Sequence, residues 1–443
     1  MKLYLSIIVL TILSIIFNIF NYNHFVTLLS ITWYIASILI LYSSIRFSFK
    51  YKFIQLRIRK IIEAIKSKSK NGISPISSLC VSLAAKIGVG SLSGVALCLY
   101  FGGLGSIFWL CIISLLVPVN TYLECLLGIK YRERHNDGYV GGPSYYIIKC
   151  LKNKKLGILY SILIIITYSG FFLSIQSNTI VNALGYFDIN KIYIVVLLFI
   201  STLVIIMMGI KGISRVNSIL VPVMLLFYLI LGGYTFVSNY DSLGKIIKMV
   251  IKEAFNLKSI IPVFLIGMQR AIFITESSLG TSAISASSCD NEPEKQGMLE
   301  VLGIHIVTFL VCLTTFLIIA TTDYYLIDFG DLNGIEIVMY AFNYHFGNIG
   351  TLLLSVITVL FAFSTIISSY FFGDSNLKIF SSRKGMRLIF KILFMIVIVV
   401  SCYVRPNILW NLCDYFIALL AIINVSSIIK ICGKWKNNKI SKV

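Results

Sequence analysis

The sequence predicts an all-α protein that crosses a membrane about twelve times. Of its 443 residues, 58% are hydrophobic and only 13% are charged, whereas about 25% of the residues of soluble proteins are charged. The mean hydropathy is +0.91, and apolar runs of about 20 residues, the length of a membrane-spanning helix, recur along the whole chain. This composition excludes an ordinary water-soluble enzyme.

The N-terminal part is predicted to add two spans and a basic segment. An apolar run over residues 3–20 resembles a signal peptide, but no small-residue cleavage site follows it, so we interpret it as a retained membrane helix. A second run over 25–44 completes a hairpin. Residues 46–70 then contain nine Lys or Arg and one acid, with isoleucines at helical spacing. This pattern predicts a basic amphipathic helix on the anionic inner leaflet.

Ten further spans are predicted, and the charges of the loops orient them. The spans cover residues 76–101, 105–129, 157–185, 191–209, 218–236, 260–287, 298–320, 348–372, 388–404 and 408–430. Lys and Arg collect in the loops at 130–155 and 378–387 and in the tail, whereas 321–347 has four acids and neither Lys nor Arg. Both termini are therefore predicted to be cytoplasmic. Two segments agree less well with this orientation. The lysines of 245–258 fall on the predicted external side, and the loop 290–297, predicted to be cytoplasmic, is mostly acidic.

The net charge of +20 is explained by this orientation, so no nucleic-acid partner is predicted. The ten cysteines are scattered without a CxxC pair, which favours small hydrophobic residues over a disulfide framework or a metal site. The sequence has no GxxxxGK[ST] motif, so nucleotide-driven transport by this chain is not predicted. Neither a catalytic set nor a cofactor site is evident, and we expect the protein not to be an enzyme.

Two of the ten spans are interrupted by small and polar residues at membrane depth, over 84–94 and over 270–282. One interpretation is close helix packing, because Gly90 and Gly94 have the small-xxx-small spacing. The other is a pair of discontinuous helices. The two spans are the first and the sixth of the ten, so they cross in opposite directions. That is the arrangement of a five-plus-five inverted repeat, which holds a substrate and ion site at the bilayer midplane.

Motifs around these interruptions are also specific in sequence. They are GVGS (88–91), GGLG (102–105), KYRE (130–133), YVGGPSYY (139–146), QSN (176–178) and the run RAIFITESSLGTS (270–282). Over about residues 46–376 the chain resembles the alanine/glycine:cation symporter family, also called the sodium:alanine symporters. The resemblance implies a LeuT-like fold of two inverted five-helix repeats, preceded here by two extra N-terminal helices.

On this basis the predicted organisation has six parts: an N-terminal hairpin (1–45), the basic segment (46–75), a first repeat (76–236), an external amphipathic connector (237–259), a second repeat (260–430) and a basic cytoplasmic tail (431–443). The resemblance implies import of a small neutral amino acid, such as alanine or glycine, together with sodium. We expect a monomeric multi-pass protein of the cell membrane, whose partners are the amino acid and the bilayer and which needs no cofactor besides the sodium ion.

The family pattern also implies the binding residues. For the substrate they are Gly88, Val89, Gly90, Ser91, Gln176, Phe273, Thr275 and Ser369. For the cation they are Ala84, Ile87, Ser364 and Thr365. The chain departs from the family at several of these positions: Ser91 and Thr275 each replace an Asn, and Ser369 replaces a Trp. The loss of the Trp ring predicts room for a larger substrate than alanine.

Lys86 is the sharpest departure, since the family usually has Thr there. A Lys near the bilayer centre costs about 2.5–3.5 kcal/mol on insertion scales and needs a partner. It could replace the cation, which would make transport sodium-independent or proton-coupled and suit a different amino acid, a small amine or a peptide. It could pair with the carboxylate of the substrate or with an anionic substrate. It could be structural, either paired with Glu124 or Glu276 or directed toward the cytoplasmic surface.

Three further charges lie within predicted spans: Glu124, Arg270 and Glu276. Arg270 and Glu276 are six residues apart, so they cannot pair on one face of an unbroken helix. They predict a buried charge network that includes other helices or a helix break. Because the candidate pocket is altered, a transporter-like sensor that no longer transports is also a candidate.

Overall fold

The computed structural model describes residues 22–67, 73–135, 138–323, 334–381 and 383–433, and these are almost entirely helical. The predicted leading helix over 3–20 and nearly all of the predicted tail lie outside the described residues. Seven helices of the described part are long and apolar enough to span a membrane, and one bent helix pair would be an eighth. Two shorter apolar helices, Lys191–Met207 and Ile260–Thr275, also coincide with predicted spans. The total of about twelve spans stays a prediction.

The N-terminal segment is one long helix followed by a break. Helix α1 is Tyr22–Lys50, a 3-10 turn covers Ile54–Leu56, and helix α2 is Ile58–Ile65. Lys52 and Phe53 have φ of 53° and 51°, a left-handed conformation that a helix cannot continue through. The predicted basic helix over 46–70 is therefore divided. Its first part belongs to α1, and only α2 is separate.

The first half of the bundle begins with a broken helix. Its elements are α3 (Pro75–Lys86), a 3-10 turn (Val89–Ser91), α4 (Ser93–Gly102), α5 (Gly105–Leu116), α6 (Pro118–Lys130), β1 (Glu133–His135), β2 (Gly138–Val140), α7 (Pro143–Cys150), α8 (Lys154–Ile166), a π-helical turn (Thr167–Phe172), α9 (Leu173–Gly185), α10 (Lys191–Met207) and α11 (Gly209–Ser238). We number these as core helix 1 (α3 and α4), core helix 2 (α5 and α6), core helix 3 (α8 and α9), core helix 4 (α10) and core helix 5 (α11). The strands β1 and β2 form an antiparallel hairpin.

A surface helix, α12 (Tyr240–Ala254), connects this half to the second. The second half contains α13 (Ile260–Thr275), α14 (Thr281–Ser287), α15 (Pro293–His305), a π-helical turn (Ile306–Cys312), α16 (Leu313–Ala320), α17 (Ile335–Phe346), α18 (Asn348–Leu377), α19 (Lys384–Ser401) and α20 (Pro406–Cys432). These give core helix 6 (α13 and α14), core helix 7 (α15 and α16), core helix 8 (α18), core helix 9 (α19) and core helix 10 (α20).

Sequence features explain where core helix 1 begins. Ser74 precedes it, and the Ser74 hydroxyl accepts a hydrogen bond of 3.0 Å from the Ser77 amide, with Pro75 at the first helical position. An N-cap serine and a proline at this position both favour a helix start. The two halves of core helix 1 bend by 58°. Small residues let the core helices approach closely, and core helices 2 and 6 cross at Gly267.

We predict that Gly267→Ala lowers the unfolding temperature of the purified protein. A β-carbon at Gly267 would lie 2.5 Å from the Ser106 carbonyl oxygen, so core helices 2 and 6 would have to separate, at a cost of about 1–3 kcal/mol. Gly233→Ala is the matched control, because this exposed helical glycine has no atom within 4 Å of an added β-carbon. Equal unfolding temperatures for the two variants would contradict the close crossing.

Candidate functional site at the two broken helices

The break in core helix 1 leaves backbone groups free inside the protein. Gly88 is extended, with φ −104° and ψ −162°, and a short 3-10 turn over Val89–Ser91 precedes α4. The Val89 amide donates a hydrogen bond of 3.0 Å to Gln176 Oε1. The amides of Gly88 and Gly90 donate to none of the described residues. Freed N–H groups at a helix start are suited to binding an anion.

The break in core helix 6 confirms the second predicted interruption. Helix α13 ends at Thr275, and the chain turns through Glu276 and Ser278, with φ of 51° and 70°, before α14 begins after Gly280. Gly280 has a φ of 81°, and an added β-carbon there would overlap the Pro143 ring. Only glycine fits this position. The C-terminal end of α13 points its carbonyls, the negative end of the helix dipole, toward the break.

The two breaks meet in one buried region. A β-carbon at Gly90 would lie 2.9 Å from Phe273 Cε1, and one at Gly88 would lie 3.1 Å from Gln176 Oε1. The Nε2 atom of Gln176 is buried and has no hydrogen-bond partner among the described residues. Gly88, Gly90, Gln176 and Phe273, all predicted substrate residues, thus lie close together, and three donors among them have no partner in the described part of the chain.

Other predicted substrate residues have local roles. The Ser91 hydroxyl donates to the Gly88 carbonyl at 2.8 Å, and the Thr275 hydroxyl donates to the Ala271 carbonyl at 2.7 Å, within its own helix. The Ser369 hydroxyl is buried without a partner in the described part of the chain, while its carbonyl accepts from Ser169 at 3.3 Å. Among the described residues, no hydrogen bond joins Ser369 to the two breaks, so its assignment to the pocket stays a prediction.

Core helix 8 contacts the first half of core helix 1 at the predicted cation site. The Thr365 hydroxyl lies 2.7 Å from the Ala84 carbonyl oxygen and 2.9 Å from the Phe361 carbonyl oxygen. The Ser364 hydroxyl donates to Phe361 at 2.9 Å and has no hydrogen bond to core helix 1 within the described ranges. Ile87 is fully buried at the end of α3. The Phe361 carbonyl was not among the predicted cation ligands, although carbonyls three and four positions before a helical hydroxyl are its usual acceptors.

An aromatic layer lies over the breaks on the side where α4 ends and α13 begins. The Phe273 ring contacts Trp410 and Phe172, with centroid separations of 5.0 Å and 5.4 Å. Beyond the layer is a cavity of about 640 Å³, and Trp410, Arg270 and Asp414 are part of its lining. Arg270 forms an ion pair with Asp414 of core helix 10, and Gln269 donates to the same carboxylate at 2.9 Å.

The predicted charge network of Glu124, Arg270 and Glu276 is corrected by the structure, since these three residues share no hydrogen bond or ion pair. Arg270 pairs with Asp414. Glu124 accepts from the Gly280 amide at 3.1 Å and from Asn424 at 2.8 Å. Both carboxylate oxygens of Glu276 are buried without a hydrogen-bond partner among the described residues. Sequence reasoning missed Asp414, whose position as a lone acid within the last apolar span was the available signal.

Comparison with known proteins identifies the family. The sodium:alanine symporter family matches residues 18–440. The chain belongs to this family. The amino-acid carrier protein AlsT of Bacillus subtilis is 30% identical over 89% of this chain and 85% of its own length. The "Probable sodium/glutamine symporter GlnT" of the same organism is 29% identical over 88% and 84%, respectively.

A solved structure confirms the LeuT-like fold. MhsT in complex with L-phenylalanine superposes with a TM-score of 0.63 at 16% identity, covering 84% of this chain and 91% of MhsT. At this identity the likeness concerns the fold alone. Family and fold are those of membrane transporters, and the apolar helices are those of a multi-pass protein of the cell membrane. Monomeric state, orientation of the termini and the absence of a nucleic-acid partner stay predictions.

Within this family site, Lys86 has a partner that we did not predict. Its ammonium donates to Ser82, to Ser282 at 3.0 Å and to Glu300 at 3.2 Å. The side chains of Lys86 and Glu300 are both 0% exposed. The predicted pairing with Glu124 or Glu276 is therefore wrong, because Glu300 of core helix 7 is the counter-ion. Glu300 was overlooked as one acid at the start of an otherwise apolar span.

The direction of Lys86 also corrects the idea that it replaces the cation. Two residues apart on a helix, Lys86 and Ala84 lie on different faces. The Ala84 carbonyl meets Thr365 of core helix 8, whereas the Lys86 ammonium meets core helices 6 and 7. The pair therefore joins α3 of core helix 1 and α14 of core helix 6 to α15 of core helix 7.

We predict that Lys86→Met lowers the unfolding temperature strongly, because it leaves the Glu300 carboxylate buried without its counter-ion, at a cost of about 3–5 kcal/mol. The double variant K86M/E300L removes both charges and should recover most of the loss. Arg59→Gln is the control, since the Arg59–Glu63 pair is exposed and should matter little. If K86M unfolds at the same temperature as R59Q, the pair does not stabilise the bundle.

Proposed function

We propose that this chain imports a small neutral amino acid, such as alanine or glycine, together with sodium. The observation that carries the proposal is the meeting of two helix breaks at membrane depth, where the free amides of Gly88 and Gly90 lie near the carbonyl end of α13. A zwitterion matches such a site, because its carboxylate needs donors and its ammonium needs acceptors. Membership of the sodium:alanine symporter family supports the same substrate class.

The substrate carboxylate would bind the Gly88 and Gly90 amides and the unpaired Nε2 of Gln176, and the ammonium would bind carbonyls at the end of α13. The Phe273 ring lies so near Gly90 that little space remains for the side chain of a bound amino acid. This favours a substrate with a small side chain. The name of the relative GlnT, a sodium/glutamine symporter, makes glutamine the competitor to test against alanine.

Sodium would bind where core helix 8 meets core helix 1. Its ligands would be the carbonyls of Ala84, Ile87 and Phe361 with the hydroxyls of Thr365 and Ser364. This set consists of oxygen atoms alone, the donor type that alkali cations require, and carbonyls freed at a broken helix are suited to it. Both the amino acid and the ion would contact core helix 1. The binding of each can therefore influence the position of α3, the half of core helix 1 on the predicted cytoplasmic side, which we call its inner half; α14 is the inner half of core helix 6.

Access from the outside would require opening of the layer formed by Phe273 and Trp410 and of the Arg270–Asp414 pair above it. Access from the inside would require movement of the inner halves of core helices 1 and 6. The Lys86–Glu300 pair holds those halves to core helix 7, so we expect them to move as one body.

The decisive experiment is uptake of labelled alanine into proteoliposomes, with and without an inward sodium gradient. We predict that Thr365→Ala raises the sodium concentration for half-maximal uptake about tenfold, the equivalent of about 1.4 kcal/mol for one lost oxygen ligand. Thr365→Ser should restore wild-type behaviour. Thr351→Ala is the control, because this half-exposed residue lies in the first turn of α18, far from Thr365.

The other outcomes identify the alternatives. Equal uptake with choline in place of sodium would indicate a sodium-independent carrier, and uptake driven only by a proton gradient would indicate proton coupling. Binding without counterflow would indicate a sensor.

We predict that Gln176→Glu raises the KM for alanine at least tenfold. A glutamate at this position keeps an acceptor for the Val89 amide, but its charge repels a substrate carboxylate. Gln176→Leu should instead lower the unfolding temperature, because it leaves the Val89 amide unsatisfied. An unchanged KM in Q176E would exclude the substrate carboxylate from this position, while sodium-driven uptake would still stand.

A further inference from the structure

A second cavity, distant from the two breaks, lies at the end of the bundle that is predicted to be cytoplasmic. Its volume is about 600 Å³. Three chain segments, separate in sequence, line it: the β1–β2 hairpin, the turn between core helices 4 and 5, and the facing ends of core helices 8 and 9. We propose that this cavity binds the phosphate headgroup of an anionic phospholipid of the inner leaflet.

The charge of the lining points to an anionic ligand. Among the described residues of the lining, four basic side chains, Arg134, Lys211, Arg387 and Lys391, face one carboxylate, that of Asp374. Asp374 is already shared, since Arg387 Nε and Lys378 Nζ each lie 3.7 Å from one of its oxygens. Arg134, Lys211 and Lys391 form no ion pair with the described residues. An excess of positive charge in a concave site attracts anions from solution or from the membrane surface.

The backbone adds donors to the same place. Core helix 4 ends at Met207, and α11 begins two residues later at Gly209. Gly209 has a φ of 69°, which allows the sharp turn between the two helices. The first residues of α11, Gly209 to Lys211, line the cavity, and their amides donate no hydrogen bond within the described residues. A helix N-terminus presents N–H groups and the positive end of its dipole, which a phosphate accepts. Here the amides and the ammonium of Lys211 come from the same turn.

The surroundings favour a lipid over a soluble phosphate. Ile206, Met208 and Ile210 also line the cavity. Beside it, the outer faces of core helices 4 and 9 expose Val204, Met207, Leu388 and Ile392 by 58%, 65%, 58% and 51%. These apolar faces are suited to acyl chains. Lys391 Nζ lies only 3.7 Å from Met207 Sδ, so a cation of the cavity sits directly at the edge of the acyl-chain surface. A phospholipid combines both chemistries in one molecule.

The experiment measures lipid retention by the purified full chain in detergent. In native mass spectrometry, dioleoyl phosphatidylglycerol is titrated against dioleoyl phosphatidylcholine, which has the same acyl chains and no net charge. We expect the wild type to retain phosphatidylglycerol preferentially and the K211Q/K391Q variant to bind it about tenfold more weakly. The matched control, K154Q/K155Q, removes two exposed lysines of the same predicted side that do not line the cavity, and it should retain the lipid as the wild type does.

Thermal unfolding of the wild type gives a second readout that needs no variant. Phosphatidylglycerol should raise the unfolding temperature, since a ligand that binds only the folded state stabilises it. Phosphatidylcholine and inorganic phosphate should not. Equal stabilisation by inorganic phosphate would overturn the lipid assignment in favour of a soluble anion. Equal retention of phosphatidylglycerol by K211Q/K391Q and the wild type, or an equal loss in K154Q/K155Q, would overturn the site. None of these outcomes depends on alanine uptake, so the proposed transport function is tested separately.

Discussion

The structure depends on one constraint: a helix that breaks inside a membrane must find partners for the backbone groups that the break frees. In core helix 1 the freed Val89 amide is paired with Gln176, and the Ala84 carbonyl is paired with Thr365. In core helix 6 the Gly280 amide is paired with Glu124. Each partner comes from another helix. Side chains of core helices 2, 3 and 8 therefore stabilise the breaks by satisfying buried backbone groups.

The groups that remain unpaired are as informative as those that are paired. The amides of Gly88 and Gly90 and the Nε2 of Gln176 are donors in a buried place without acceptors from the described residues. A buried donor without an acceptor lowers the free energy of unfolding. A bound substrate can supply the missing acceptor. Lys86 differs from these groups, because its ammonium is paired with Glu300 and joins core helix 1 to core helix 7.

Much of the fold could be predicted from local patterns. Apolar length located the spans, because a helix must cover the hydrocarbon core, and glycine and hydroxyl residues at membrane depth identified both breaks. The motifs around Gly88 and Arg270 indicated the family and the LeuT-like fold. The break between α1 and α2 was not predictable, because Lys52 and Phe53 adopt left-handed backbone conformations that are unusual for such residues.

Composition, periodicity and loop charge thus specify a helical membrane protein with two interrupted helices, since these properties follow from each segment's own contact with lipid or water. The partners of the buried charges are decided only in three dimensions. Lys86 with Glu300 and Arg270 with Asp414 are 214 and 144 residues apart in the chain. No local pattern encodes such pairs, because the rotation of each helix about its axis is set by packing against its neighbours. That rotation directs Lys86 toward core helix 7 and leaves the Ala84 carbonyl facing core helix 8.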